Sequence, residues 1–156
     1  MNRNYFFSAI AAAAVLLTAS ACNDSGKTEA GSETSTTTDG ASTDPKGIGK
    51  YRNVELTHPL DEKMVAEGQN VYNVKCASCH KLTDEKLVGP GWKGVTDRRT
   101  PEWIMNFSTN VDEMIEKDTA AQRMLEQCLV RMPNQNLSDA EARATLEFMR
   151  KNDGKN

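Results

Sequence analysis

The hydrophobic pattern of the chain is helical from residue 61 onward. Apolar side chains recur every three or four residues, and no stretch shows the sustained alternation of apolar and polar residues that predicts a half-buried strand. Helix start signals precede these stretches: a capping Thr100 before Pro101, an acidic Asp118, and a capping box from Ser138 to Glu141. The sequence therefore predicts a mostly α-helical domain, with helices over residues 61–75, 100–107, 119–129 and from 139 onward.

The first 22 residues have the pattern of an export signal. An apolar run of thirteen residues, Tyr5 to Leu17, is too short to cross a bilayer core, which needs about 20 residues. Residues 1–21 are therefore predicted to be a signal peptide. The small residues before Cys22 resemble a bacterial lipobox, which implies that this cysteine is lipidated and anchors the mature protein to a membrane. Cleavage after Ala21, with Cys22 left as a free thiol, is the alternative.

A polar segment follows Cys22. Residues 23–50 are rich in serine, threonine and glycine and contain only three hydrophobic residues, Ala30, Ala41 and Ile48. Such a segment cannot bury enough apolar surface to fold alone, so residues 22–50 are predicted to be the lipidated cysteine and a disordered tether. The domain is then predicted over residues 51–156. The net charge of the whole chain, −3, provides no basic field for phosphates and argues against nucleic-acid binding.

Candidate chemistry is concentrated in Cys76-Ala77-Ser78-Cys79-His80, which is the C-x-x-C-H pattern of covalent haem attachment. On a helical turn, side chains three apart share a face, so both thiols can reach the vinyl edge of one porphyrin. His80 is then brought under the iron, where a neutral imidazole is a good ligand. Two alternatives stay open: a redox dithiol, which needs a βαβ setting, and a zinc site, for which only Cys128 and His58 are further ligands.

The residues around this motif resemble class I c-type cytochromes, from about Leu60 to Lys151. The shared pattern consists of Gly68, Tyr72, Cys76, Cys79 and His80, followed by the loop Leu87-Val88-Gly89-Pro90-Gly91-Trp92. The resemblance implies a small helical domain wrapped around one covalent haem c. It also implies that the first and last helices cross near Gly68, and that the Pro90 carbonyl accepts the Nδ1 proton of His80. A carbonyl at that nitrogen orients a ligating imidazole and fixes its tautomer.

The sixth iron ligand has to come from His58 or from a methionine. Three of the later methionines lie on helical stripes, where methionine is more often core filler than ligand. They are Met105, Met114 and Met124. Met132 differs because Pro133 follows it and places it in a loop that can approach the iron. The resemblance agrees, since family members frequently have Met-Pro shortly before the last helix. Met132 is therefore the predicted ligand, with His58 as the alternative.

Other side chains are candidates for the periphery of the haem. Two indole N–H groups and two guanidinium groups could reach haem propionates, although core packing and solvated surface explain the same residues. They are Trp92, Trp103, Arg98 and Arg99. Cys128 shares a stripe with Met124 and is predicted to be a buried thiol without chemistry. A disulfide from Cys128 to Cys22 is expected only if Cys22 is not lipidated.

These features predict a membrane-tethered monohaem cytochrome c in the bacterial cell envelope, with its domain facing the periplasm. The protein is predicted to carry single electrons between a respiratory donor and a terminal reductase or oxidase, as a carrier rather than an enzyme. The alternative is a haem sensor or peroxidase with a displaceable sixth ligand. Basic residues dominate from Lys75 to Arg99 and acidic residues from Glu102 to Glu126, which indicates docking of an acidic redox partner or only a solvated surface.

Overall fold

The computed structural model describes residues 42–156, and the predicted signal peptide, Cys22 and most of the predicted tether lie outside these residues. Six α-helices and one π-helical turn make up the regular structure of the described part. They are α1 (Glu62–Val71), the π turn (Tyr72–Cys76), α2 (Val95–Arg98), α3 (Pro101–Thr109), α4 (Val111–Lys117), α5 (Thr119–Cys128) and α6 (Asp139–Asn152). The predicted helical fold class is confirmed. The short helices α2 and α4 were not delimited by the sequence pattern.

Capping residues fix the starts of the long helices. The Thr100 hydroxyl accepts a hydrogen bond from the Trp103 backbone N–H at 3.1 Å, and the Asp118 carboxylate accepts one from Ala121 at 2.8 Å. Ser138 forms the predicted capping box at the start of α6. Each such cap contributes about 1 kcal/mol by satisfying a backbone donor that the helix itself leaves unpaired. The three helix starts predicted from these caps are therefore confirmed.

The first predicted helix changes its winding before the cysteine motif. α1 ends at Val71, and residues Tyr72–Cys76 form a π-helical turn in which the Ala77 N–H donates to the Tyr72 carbonyl at 2.9 Å. The prediction of one helix over residues 61–75 is right in its extent. It is wrong in its hydrogen-bonding pattern, which changes from α-helical to π-helical after Val71. A π turn holds one more residue than an α turn, and such turns occur frequently at functional sites. This one ends at Cys76, the first cysteine of the motif.

The first and last helices cross at Gly68. A Cβ atom added at Gly68 would lie 2.1 Å from the Ala144 carbonyl oxygen and 2.8 Å from the Phe148 Cβ, so only glycine permits this approach. One turn further along, the rings of Tyr72 and Phe148 pack with their centroids 5.6 Å apart. The crossing that the resemblance implied is present. It places the π turn and the cysteine motif against α6.

A buried ion-pair network holds the segment before α1 against α6. Glu147 is completely buried, and its carboxylate accepts hydrogen bonds from the Thr57 hydroxyl at 2.7 Å and the Asp61 backbone N–H at 3.2 Å. Arg143 and Arg150 also donate to it. Burial raises the pKa of Glu147, but these hydrogen bonds outweigh that effect and lower the pKa below its ordinary value. The carboxylate is therefore ionised and paired at neutral pH.

Residues 42–51 form a strap, the N-terminal strap, that lies across α3 and the junction of α4 and α5. Ser42 donates its backbone N–H to the Lys117 carbonyl at 2.5 Å, and its carbonyl accepts from the Thr119 N–H at 3.0 Å. The Thr100 hydroxyl donates to the Pro45 carbonyl at 2.9 Å. The side chain of Ile48 packs on the hydrophobic core. The strap is thus part of the folded domain.

Asn106 supplies three of the hydrogen bonds that hold the N-terminal strap. It is completely buried, its Nδ2 donates to the carbonyls of Lys46 and Tyr51 at 2.9 Å each, and its Oδ1 accepts from the Tyr51 N–H at 3.0 Å. The predicted domain boundary at residue 50 is therefore wrong for residues 42–50. The composition of these residues indicated disorder because it contains little apolar surface. Hydrogen bonds from their backbone to Asn106, Thr100 and the α4–α5 junction hold them instead.

Candidate haem site

The two motif cysteines and His80 lie on one tight turn that leaves the π turn. The backbone N–H groups of Cys79 and His80 both donate to the Cys76 carbonyl at 3.0 Å. The Cys76 thiol is buried, and burial raises its pKa to about 11, whereas Cys79 is only partly buried. All three residues line a cavity of about 480 Å³. The local geometry therefore presents two thiols and an imidazole to one enclosed space.

The imidazole of His80 is oriented by the loop that follows the motif. Its Nδ1 lies 2.9 Å from the Pro90 carbonyl oxygen, and because a carbonyl can only accept, Nδ1 carries the proton and Nε2 keeps its lone pair. The hydrogen bond that the resemblance implied is present. Burial lowers the pKa of His80 more than the Pro90 carbonyl raises it, which favours the neutral imidazole.

Gly89 makes the position of the His80 ring possible. A Cβ at residue 89 would lie 2.3 Å from Cε1 of the imidazole and within 2.9 Å of both ring nitrogens. The backbone N–H of Gly89 donates to the Cys79 carbonyl at 2.9 Å, which fixes the loop against the motif. The sequence analysis quoted Gly89 as part of the loop but did not identify this steric role. The glycine next to Pro90 is the feature of the sequence that could have indicated this role.

Aromatic rings support the motif from the side of α1. The Tyr72 hydroxyl donates to the His80 carbonyl at 2.8 Å, and the rings of Tyr72 and Trp92 lie 4.9 Å apart. Trp92 also lies 5.9 Å from the His80 ring and lines the cavity. Tilted rings at these separations stabilise their packing beyond the effect of buried area alone. His80 is therefore held both at its backbone carbonyl and at its imidazole ring.

Met132 lies in the irregular segment between α5 and α6 and lines the same cavity as His80. The segment begins at Leu129, whose positive φ of 58° ends α5. Met124 and Met149 also line the cavity, but both lie on helices. Met149 was not considered as a ligand in the sequence analysis.

His58 lies away from this cavity. It is exposed, its Nδ1 lies 2.7 Å from the backbone oxygen of Asn156, and it lines a separate cavity of about 240 Å³. The structure therefore brings Met132 and His80 to one space and places the alternative ligand elsewhere. No three side chains of His, Cys, Asp or Glu converge on a metal-sized point anywhere in residues 42–156, which argues against the zinc alternative.

The predicted propionate contacts have separate outcomes. Trp103 donates its indole N–H to the buried Asp118 carboxylate at 3.2 Å, so of its two alternatives the structure favours core packing, because its donor is already used. Trp92, Arg98 and Arg99 line the cavity, and the Arg99 guanidinium lies 4.7 Å from the centre of the Trp103 ring. These three remain candidates for propionate contacts.

Cys128 is half-buried rather than fully buried. It lines a smaller cavity of about 70 Å³ together with Met124 and Met132. The prediction of a buried thiol is therefore wrong in degree, because α5 ends at this residue and leaves its side chain partly open to solvent.

The residues around the larger cavity fit a haem. The volume lies within the range of about 300–1,000 Å³ that is usual for small-molecule and cofactor sites. Its apolar walls come from α3, α5, α6 and the segment after α5, including Ile104, Phe107, Leu137 and Met149. Two thiols, an oriented imidazole and a thioether are the donor set that covalent haem and its iron require. The fold and the site thus define a small helical protein with a covalent haem site.

Comparison with known proteins identifies the family. The family profile described as Cytochrome c matches residues 65–153. The chain belongs to the cytochrome c family, whose members bind haem c covalently. The resemblance to class I cytochromes is therefore confirmed.

Several solved structures are similar to this chain. The cytochrome c from Rhodothermus marinus has 32% sequence identity and a TM-score of 0.67, covering 70% of this chain and 94% of that chain. An engineered cytochrome c from Rhodothermus marinus, bound to a carbene intermediate, has 30% identity and a TM-score of 0.64, covering 72% and 100%. The cytochrome c domain of the pp3183 protein from Pseudomonas putida has 29% identity and a TM-score of 0.50, covering 56% and 88%. No curated protein matches the chain.

Proposed function

We propose that this protein is a single-electron carrier in which Cys76 and Cys79 would hold one haem c and His80 and Met132 would bind its iron. The observation that carries the proposal is the shared cavity: it is lined by both cysteines, by His80 with its Nδ1 held by Pro90, and by Met132. Each thiol would add across one vinyl double bond, sulfur to one carbon and hydrogen to the other. When bound, haem c supplies an iron that cycles between the ferric and ferrous states.

The residues of the chain set the properties of this carrier. The Pro90 carbonyl raises the basicity of the His80 imidazole and prevents it from rotating. The soft thioether of Met132 favours the ferrous state, so a His/Met pair gives a higher potential than two imidazoles. With His80 and Met132 both bound to the iron, substrates would have no access to the metal. Electron transfer through the edge of the cofactor is the function that remains.

We further propose that the carrier works in the cell envelope, attached to a membrane by a lipidated Cys22. The motivation is the export signal and the small residues that precede this cysteine. None of the helices within residues 42–156 is long and apolar enough to span a bilayer. The predicted partners are a respiratory donor and a terminal reductase or oxidase that dock weakly, as electron-transfer partners do.

Attachment of haem is tested by a haem stain after denaturing electrophoresis and by the intact mass. The wild-type protein should retain haem when unfolded, and the double variant Cys76→Ser/Cys79→Ser should not. The variant Cys128→Ser is the matched control and should retain it, because this thiol lies outside the motif. A wild-type mass without a haem increment, from cells with a working haem-attachment system, would contradict the proposal.

Membrane attachment is tested by fractionation and by the mass of the N-terminal peptide. The wild-type protein should be found with membranes and carry lipid on Cys22, whereas Cys22→Ser should release or misprocess it. Recovery of the wild-type protein in the soluble envelope fraction with an unmodified Cys22 would refute this part while leaving the haem assignment intact.

A haem sensor or peroxidase is the second candidate. Two observations favour it: Met132 lies in a segment without regular structure, and the engineered relative from Rhodothermus marinus holds a carbene intermediate. The ferrous wild-type protein should bind carbon monoxide poorly if it is a carrier. Rapid binding at low carbon monoxide concentrations would instead favour the sensor or peroxidase.

A further inference from the structure

The segment that carries Met132 makes few polar contacts with the rest of the domain. Residues 130–137 lie between α5 and α6, and within the part of the chain that the structure describes they form no backbone–backbone hydrogen bond. Two further hydrogen bonds, from the Gln135 side chain and the Asn136 backbone N–H, stay inside the segment. Backbone pairing therefore does not fix the position of this segment on the domain.

Apolar packing holds the segment only in part. Val130 is 53% exposed, and Leu129, the residue before it at the end of α5, is 85% exposed. Met132 and Leu137 are half-buried and pack against the hydrophobic core. The side chain of Met132 thus lines the haem cavity from a segment that is otherwise largely open to solvent.

Arg131 supplies the hydrogen bonds that join this segment to the rest of residues 42–156. Its Nε and Nη2 donate to Oδ1 of Asp112 at 3.2 and 2.8 Å, and Nη2 also lies 3.5 Å from the Asp112 carbonyl oxygen. Asp112 lies in the first turn of α4. Two N–H groups of one planar guanidinium converge on the same oxygen, so the contact restricts the direction of Arg131 as well as its distance. The residue immediately before Met132 is therefore held against α4.

We propose that Arg131 is a positioning residue for the sixth ligand, and that its ion pair with Asp112 holds Met132 in place to bind the iron. This inference rests on the proposed function. Consecutive Cα atoms lie about 3.8 Å apart, so the ion pair limits how far Met132 can move from the cavity. Both side chains of the pair are more than half exposed, at 51% and 66%. Dissolved salt therefore screens the pair, and Met132 should leave the iron more often at high ionic strength.

The rate of carbon monoxide binding to the ferrous holoprotein tests this proposal, because the gas can bind only when Met132 has left the iron. Arg131→Ala should raise this rate by roughly 1.5- to fivefold at low ionic strength, which is the range expected for an exposed ion pair. Carbon monoxide is uncharged, so salt acts on the protein and not on the encounter. Added salt should therefore raise the wild-type rate towards that of Arg131→Ala and change the rate of the variant little.

Lys117→Ala is the matched control. It removes one positive charge, as Arg131→Ala does, but it breaks a pair between Lys117 and Glu113 that lies within α4. Its rate of carbon monoxide binding should stay near the wild-type value.

A double-mutant cycle separates the ion pair from other effects of the two side chains. Asp112→Asn should raise the rate about as much as Arg131→Ala does, and the double variant should bind carbon monoxide no faster than either single variant. Equal rates in Arg131→Ala and the wild type, or effects of the two substitutions that multiply, would overturn the proposal. A fall in Tm of Arg131→Ala without faster binding would also overturn it, since it would show a purely structural role.

The wild-type protein alone provides a second test. A rate of carbon monoxide binding that does not change with ionic strength would contradict the proposal, whether or not the variants fold well. These results differ from a failure of the proposed function. In that case the wild-type protein itself would retain no haem on a denaturing gel, or its oxidised form would lack the sulfur-to-iron charge-transfer absorption.

Discussion

Replacing Gly68 by alanine should loosen the crossing of α1 and α6. The added Cβ would lie 2.1 Å from the Ala144 carbonyl oxygen, 2.6 Å from its carbonyl carbon and 2.8 Å from the Phe148 Cβ. Real Cβ atoms essentially never approach other atoms closer than 3.0 Å. Because the obstructing atoms belong to a helix backbone and not to a flexible side chain, α1 and α6 have to separate by roughly 1 Å.

Two opposing effects set the size of the loss. Overpacking of this kind costs about 1–3 kcal/mol, and a backbone obstruction gives values towards the upper end. Alanine in a helix interior is favoured over glycine by about 1 kcal/mol, which offsets part of that cost. The net loss in the free energy of unfolding should therefore be about 1–2 kcal/mol. For a domain of this size it lowers Tm by roughly 4–10 °C.

Thermal unfolding of the holoprotein, followed by circular dichroism, measures this change. Asn70→Ala is the matched control, since Asn70 is exposed on the same helix and its replacement improves helix propensity without an obstruction. The control should raise the free energy of unfolding by about 0.5 kcal/mol. If Gly68→Ala proves as stable as the wild type or more stable, the steric account of the crossing is wrong.

Three further perturbations have defined outcomes. Met132→Ala should abolish the sulfur-to-iron charge-transfer absorption of the oxidised protein and lower its potential, because the proposed thioether ligand is lost. Asn106→Ala should cost about 2–4 kcal/mol, since three backbone groups of the N-terminal strap lose their partner, and hydrogen exchange should report opening within residues 46–51. Glu147 has a lowered pKa, so its contribution to stability is fully present above about pH 4.5 and is lost as the pH falls through the folded-state value. Urea unfolding at several pH values should therefore show weaker acid destabilisation in Glu147→Gln, which should itself cost about 3 kcal/mol at neutral pH.

Each of these outcomes has a control or a contradicting result. Met124→Leu should leave the charge-transfer absorption intact. Loss of this absorption in Met124→Leu would show that Met124, and not Met132, is the ligand. Exchange in residues 46–51 that matches the wild type in Asn106→Ala would show that the amide does not hold the strap. An acid transition of Glu147→Gln that coincides with that of the wild type would assign the pH dependence to other carboxylates.

The sequence predicted the elements whose causes are local. Thr100, Asp118 and Ser138 cap helices because a short polar side chain reaches a backbone N–H two or three residues away, and this distance is visible in the sequence. The hydrogen bond from His80 to Pro90 followed from the family pattern, and the motif and loop lie only ten residues apart. Local spacing was sufficient for these features.

Contacts between residues that are far apart in the sequence could not be predicted from local spacing. Asn106 binds the N-terminal strap across 55 to 60 residues, so the composition of residues 42–50 indicated disorder where the structure has order. Trp103 uses its N–H on Asp118, fifteen residues later, which no periodicity reveals.

The N-terminal strap also determines the point at which a mechanical force on the preceding chain acts on the domain. Ser42 is bonded at the start of α5, whereas the segment that carries Met132 leaves the other end of that helix. Ten residues of α-helix separate these points by about 15 Å. A load applied through the N-terminal side of the chain therefore acts on the α4–α5 junction and not on the rim of the haem cavity at Met132. Under the proposed attachment through Cys22, the point of mechanical attachment and the rim of the haem cavity at Met132 would therefore be separate, and the molecule could reorient without covering that rim.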